Sequence, residues 1–372
     1  MVKMAGDRTG WGLLAIGVVA VGLWPLACQT ADTGDASSEP LTDLTQVVLD
    51  DVGPEVMSPA LADAQVAIDS LNSALAAWLD GGEREEAQIA YEEAMLVWQV
   101  VDVMRVAASA DVDPVLLRDE VYSWPIINRC RVDQVIASGE YTSDIGNLLV
   151  NARGLDALEQ LLYAGADNVC PSQVPPNRDG AWNALSADDL DAARAGYAVA
   201  IGENVDQQLD SLIQAWSEPD VPSLQAVMDG VFALESVIKD RKLGRPLGIV
   251  DCEGNSCIES VEGLAQSDST EWVIRNLMGF RDLFTGGDGI GLDDLLIEMG
   301  EEAVVTDLLA LTARAISEAE ALDPNLARAI ETQPAQAEAL YATVDEVDEI
   351  LRADVVTLLT LQLPVEISGD TD

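Results

Sequence analysis

Leu61, Ala64, Ile68, Leu71, Leu75 and Trp78 recur at alternating spacings of three and four, a period that lines one face of an α-helix and cannot line one face of a strand. Ala87, Tyr91, Ala94, Trp98 and Val101 repeat the pattern after "DGGE" at residues 80 to 83, so the two runs read as a helical hairpin. Val304, Leu308, Leu311 and Ala315 mark a further helix, and Leu340, Val344, Val347, Leu351 and Leu358 another. No run of comparable length alternates with period two. The expected fold class is therefore all-α, built from helical bundles. Loops are expected around 111–143, 165–185, 244–270 and 285–293. Apolar residues make up 49% of the 372, enough for two packed halves.

The first 28 residues read as a segment outside that fold. "WGLLAIGVVAVGLWPLAC" follows a weakly basic start, and the apolar run is short for a bilayer span, as in an export signal. It ends in "PLAC", which resembles the lipobox of bacterial lipoproteins, with Pro25 where leucine is usual. That resemblance implies a signal peptide over 1–28 and lipidation of Cys28. Its acyl chains would anchor the protein to a lipid bilayer, with the body facing the periplasm or exterior and the outer membrane favoured. An uncleaved anchor or an ordinary cleaved signal are the rival readings. Residues 29–43 are small, polar and acidic and read as a flexible tether. The folded body is expected over 44–365, with a boundary between halves near 215–225 and a frayed tail at 366–372.

Sixty-six acidic residues against 19 basic ones give a formal charge of −47. Such a surface repels phosphate backbones, so nucleic acid is excluded as a partner. Most of the acids read as a solvated coat. Without Cys28, four cysteines remain for a compartment in which disulfides persist. "CEGNSC" sets Cys252 and Cys257 across a turn, which leaves Cys130 for Cys170.

Histidine is absent from the chain, so nucleophile schemes that need an imidazole base have none. Two features remain that bear on chemistry. In "GLDALEQLLY" Asp156 and Glu159 stand three apart on what reads as one helix, beside an apolar stripe of Leu148, Ala152, Leu155, Leu158 and Leu162. Side chains at i and i+3 project together and can share a cation. With no imidazole, a hard ion such as calcium, magnesium or ferric iron suits them, with further oxygens supplied from elsewhere. "GVFALESVI" repeats the pattern and offers Glu235 as a third carboxylate. The second feature is a basic island, Lys239, Arg241, Lys242 and Arg245. It is expected either to pair with the protein's own carboxylates at a helix end or to contact an anion or partner. "GGDGIGLDD" at 286–294 lacks the ligand spacing of an EF-hand and reads as a turn.

"RGLDALEQLLY", "IKDRKLGRPLGI" and "STEWVIRNLMGFRDLFTGG", in that order, together with "YSWPIINRCRVDQ", resemble the imelysin family of bacterial envelope proteins. The resemblance implies an all-helical protein of two bundle-like halves, exported, often lipidated and associated with iron uptake. The founding members were described as metallopeptidases. The family's G-x-H-x-x-E motif falls on Gly154, Asp156 and Glu159, with Asp156 in place of histidine. A zinc hydrolase needs nitrogen or thiolate ligands that this chain lacks. The expectation is a noncatalytic lipoprotein that binds iron, calcium or an iron-bearing ligand, with an envelope scaffold as the alternative and a peptidase less favoured.

Overall fold

The computed structural model describes residues 38–254 and 256–364. The segment read as an export signal, Cys28, most of the segment read as a tether and the tail at 366–372 lie outside the described residues. Helix α1 (Ser38–Asp51) begins inside the stretch read as tether, because "PLTDLTQVVL" already places Leu41, Leu44 and Val48 on one face. It continues through a π-helical turn, Val52–Met57, into α2 (Ser58–Leu79). Helices α3 (Arg84–Asp102), α4 (Pro114–Val121), α5 (Arg129–Ser138), α6 (Leu155–Tyr163) and α7 (Ala187–Ala215) follow. After α8 (Leu224–Val231) comes an eleven-residue π-helix, Leu234–Gly244, which leads into the single turn α9 (Arg245–Leu247). The chain then forms α10 (Ser269–Thr285), α11 (Leu292–Glu298), α12 (Glu302–Glu320), α13 (Leu326–Thr332) and α14 (Pro334–Ile350). A π-helical turn, Leu351–Val355, carries α14 into α15 (Val356–Leu358). There is no strand among the described residues, and no helix there is long and apolar enough to cross a membrane.

The three-and-four spacing does what it predicts. Leu61, Ala64, Ile68, Leu71, Leu75 and Trp78 are all buried on α2, and Ala87, Tyr91, Ala94, Trp98 and Val101 on α3. Helices α2, α3 and α7 pack together on one side, with α4 and α6 against α7; α12 and α14 pack with α10 and the π-helix on the other. Helix α3 lies along α10 and joins the two groups, and one continuous apolar core runs through both. Both disulfides form as read, Cys130 with Cys170 and Cys252 with Cys257.

The expected loop at 111–143 is a correction. It holds α4, started by Pro114 and capped by Asp113, which accepts from the amides of Val115 and Leu116, and α5, capped by Asn128. Each is too short to establish a helical period in sequence. The stripe from Leu148 to Leu162 is also not continuous. Residues 145–147 and 150–152 are 3-10 turns, and α6 starts only after Gly154, whose φ of 88° breaks the helix.

Lys242 joins the two groups of helices. Its ammonium is 1% exposed and lies 2.6 Å from Glu262, 3.4 Å from Asp102, 2.5 Å from Gln99 Oε1 and 2.7 Å from Asn276 Oδ1. Arg118 from α4 pairs with the same Asp102, and the Tyr122 hydroxyl donates to Glu262 at 2.7 Å. Burial by itself would raise the Asp102 pKa, but Arg118, Lys242 and Arg105 hold it well below the usual carboxylate range. One cation thus fastens α3, the π-helix, α10 and the segment leading into α10. Lys242→Met leaves Glu262 buried without its cation, while Asp102 keeps Arg118 and Arg105, and is expected to cost about 3–5 kcal/mol of unfolding free energy, measured by urea denaturation. Asn276→Leu, which removes only neutral partners of the ammonium, is expected to cost less.

Candidate functional site

A cleft of about 580 Å³ opens where four segments that are distant in sequence meet. Its volume lies in the range of roughly 300–1,000 Å³ that holds small ligands. Asp156 and Glu159 of α6 line it, with Trp124 and Arg129 from the α4–α5 connection and the start of α5. Arg241 and Arg245 line it from the end of the π-helix and the start of α9. Val250 to Gly263, the segment that carries the Cys252–Cys257 bridge, supplies the remaining boundary.

Gly154 sets the entry of α6 into the cleft. A Cβ at that position would sit 2.8 Å from the carbonyl oxygen of Val121, and the backbone is left-handed there, so only glycine fits. The next turn then buries Asp156 and Glu159 at 4% and 9% exposure. Oδ1 of Asp156 accepts from the Ala157 amide at 3.0 Å. Its Oδ2 lies 2.8 Å from the Ser123 hydroxyl, which is also 3.0 Å from the Val150 carbonyl. The Ser123 hydroxyl is the donor in both contacts, to the Asp156 carboxylate and to the Val150 carbonyl. Burial, opposed in part by these hydrogen bonds, pushes Asp156 up to about 7. Glu159 is raised by burial as well, against the pull of Arg129 and the Ala265 amide, which donates to it at 3.2 Å. Arg129 stands 3.9 Å away, a long contact with a half-exposed partner.

The basic island divides. Lys239 turns inward, 3.1 Å from Asp348 and 3.7 Å from Glu235, and Lys242 forms the buried centre described above. Arg241 and Arg245 are exposed on the cleft side. The expected pairing with the protein's own carboxylates holds for the two lysines, which are buried by helix packing and not at a frayed end. Glu235 is fully buried, paired with Arg352 and Lys239, and is not part of the cleft lining; among the described residues no hydrogen bond or ion pair joins it to Glu159. Among the described residues there is also no group of three or more His, Cys, Asp or Glu side chains placed to hold a metal ion. Trp124 and Arg129 were not read as site residues; both lie in "YSWPIINRCRVDQ", whose placement at the cleft depends on short helices with little sequence signature.

The family model described as Imelysin, a peptidase M75 family, matches residues 57–353. An imelysin-like protein from Psychrobacter arcticum superposes with a TM-score of 0.65 at 14% identity, covering 87% of this chain and 97% of that one. A protein of Parabacteroides distasonis provisionally named an iron-regulated protein A precursor superposes with a TM-score of 0.64 at 14% identity, covering 85% and 95%. No curated protein matches.

The Asp156 environment gives a pH test with a definite sign. Because its folded pKa of about 7 lies above the unfolded value near 3.9, the group's contribution is intact below about pH 4 and is lost progressively as pH rises to about 7. Asp156→Asn keeps an oxygen that can accept from Ser123 and removes the charge. The variant is expected to match the parent at pH 4 and to exceed it by about 2–4 kcal/mol at pH 8 in denaturant titrations.

Proposed function

From membership of the imelysin family, to which this chain belongs, we propose that the protein is a noncatalytic binding protein of the cell envelope, whose cleft takes an iron-bearing ligand. In this reading the acylated Cys28 anchors it to the bilayer, with the helical body held outside the cytoplasm. The observation that carries the proposal is the convergence of the family-like segments on one cleft. The Gly154–Glu159 motif, the Trp124 segment and the basic island are separated in sequence by up to about 120 residues, yet all three supply its lining.

The donor set argues against hydrolysis. A peptidase zinc held by nitrogen would need imidazoles, and the chain has none. The four body cysteines are tied in disulfides, so thiolate ligands are also lacking. Asp156 and Glu159 offer two carboxylates, at most four oxygens, too few to enclose a hard ion that takes six or more. A ligand that brings its own donors removes that shortfall, and for this reason an iron chelate suits the cleft better than a bare cation.

The test is thermal and enzymatic together. Ferric nitrilotriacetate is expected to raise the melting temperature of the purified protein, and Glu159→Gln is expected to reduce the shift. Casein is expected to remain uncleaved with or without added zinc. An unchanged melting temperature across ferric chelates would reject the binding reading, and zinc-dependent cleavage would restore the peptidase.

A further inference from the structure

Arg241 and Arg245 stand apart by where they lie, on the lining of the cleft. With 66 acids to 19 bases, a guanidinium in this protein has many carboxylates to choose from, and Arg118, Arg153, Arg314, Arg328 and Arg352 each pair with one. Among the described residues Arg84, Arg178, Arg194, Arg241 and Arg245 form no ion pair with a carboxylate, and of these five Arg241 and Arg245 line the cleft. Acids do line the same cleft, but they are engaged elsewhere or held apart. Asp240 lies 3.7 Å from Lys239, Asp156 is bonded to Ser123 and Ala157, and Glu159 to Ala265. Asp251 and Glu259 face the cleft without reaching the arginines.

The backbone explains the separation. The π-helix that carries Lys239, Arg241 and Lys242 sends both lysines into the interior, where Asp348, Asp102 and Glu262 hold them. Arg241 and Arg245 are left on the opposite, open side, with the helical Gly244 between them, and the chain leaves the helix at Gly248, whose φ is 80°. A Cβ at Gly244 would meet Val250 at 2.8 Å and Tyr341 at 3.0 Å, so the helix is closely packed between the two arginines. Arg129 reaches the same cavity from the start of α5, and its ion pair among the described residues is the long contact to Glu159. Trp124 adds a flat face in the same lining. Guanidinium groups present paired donors that match oxyanions two at a time, and three of them around a cavity of about 580 Å³ can grip more than one anionic group of a single ligand.

Building on the reading of the cleft as a binding site, we propose that it recognises a small, multiply charged oxyanion, gripped by Arg241 and Arg245 from the π-helix side and by Arg129 from α5. The shared chemistry is that of polycarboxylates and phosphates. Recognition runs through the anionic groups and does not require a metal.

Titration calorimetry of the full chain with metal-free citrate, metal-free tricarballylate and inorganic pyrophosphate tests this. At least one is expected to bind saturably, with affinity falling as salt is raised. Binding of the tricarboxylates alone would assign a polycarboxylate ligand, and of pyrophosphate alone a phosphate one. The double variant Arg241→Gln, Arg245→Gln is expected to weaken binding by at least about tenfold, and Arg129→Gln less. Both cleft arginines are exposed, so the double variant should melt with the parent; if it does not, Arg245→Gln alone carries the comparison. The proposal is overturned if none of the three anions binds, or if the anion binds the arginine variants as tightly as the parent. If a ferric chelate still binds parent and variant equally, the cleft remains a binding site and only its ligand class is wrong.

Discussion

The ammonium of Lys242 is the interaction on which the rest of the structure depends. It is one of only three lysines in the chain, and it sits almost fully buried among Asp102, Glu262, Gln99 and Asn276. A buried pair is weak evidence of stability in itself, since desolvating both charges offsets much of their attraction. Its effect here is to specify position. The partners come from α3, from the segment before α10 and from α10 itself, so the charges are satisfied in only one relative placement of these elements. Lys239 does the same for the π-helix and α14 through Asp348 and Glu235. The acidic surplus coats the outside, while two of the three lysines hold the inside together.

That placement has a direct consequence for the cleft. Glu262, fixed by Lys242 and by Tyr122, holds the segment that continues into Gly263, Ala265 and Gln266. Gly263 is left-handed, and a Cβ there would come within 2.6 Å of the Trp272 ring, so the chain passes flat against α10. The Ala265 amide then reaches Glu159. The buried network and the cleft are thus linked through three residues of one segment, and the carboxylate that α6 presents to the cleft is positioned from the other group of helices.

How much of this was legible in the sequence follows from the physics of each element. Helices α2, α3, α12 and α14 span enough turns for their apolar period to show, and the two disulfides followed from compartment and spacing. Helices α4 and α5 did not show, because eight and ten residues contain too few core positions to establish a phase. The Asp156–Glu159 pair was legible as a pair, but the partner of Asp156, Ser123, is 33 residues away and could not be inferred from local pattern. Glu235 was misleading for an instructive reason: it shares the local pattern of Glu159 but lies in the π-helix, which points it toward Arg352. The division of the basic island had the same cause. A reading at 3.6 residues per turn does not reveal that Lys239 and Lys242 face inward while Arg241 and Arg245 face the cleft, since a π-helix changes the angle between successive side chains.

The most direct test of the Lys242 account is hydrogen–deuterium exchange of the parent and Lys242→Met at matched, native-favouring conditions. If the buried ammonium positions the cleft, exchange will rise in residues 257–266 and at the start of α6, while α12 and α14 retain their protection. Unchanged exchange in 257–266, or a uniform rise across all helices, would contradict it and reduce Lys242 to a general contributor to stability.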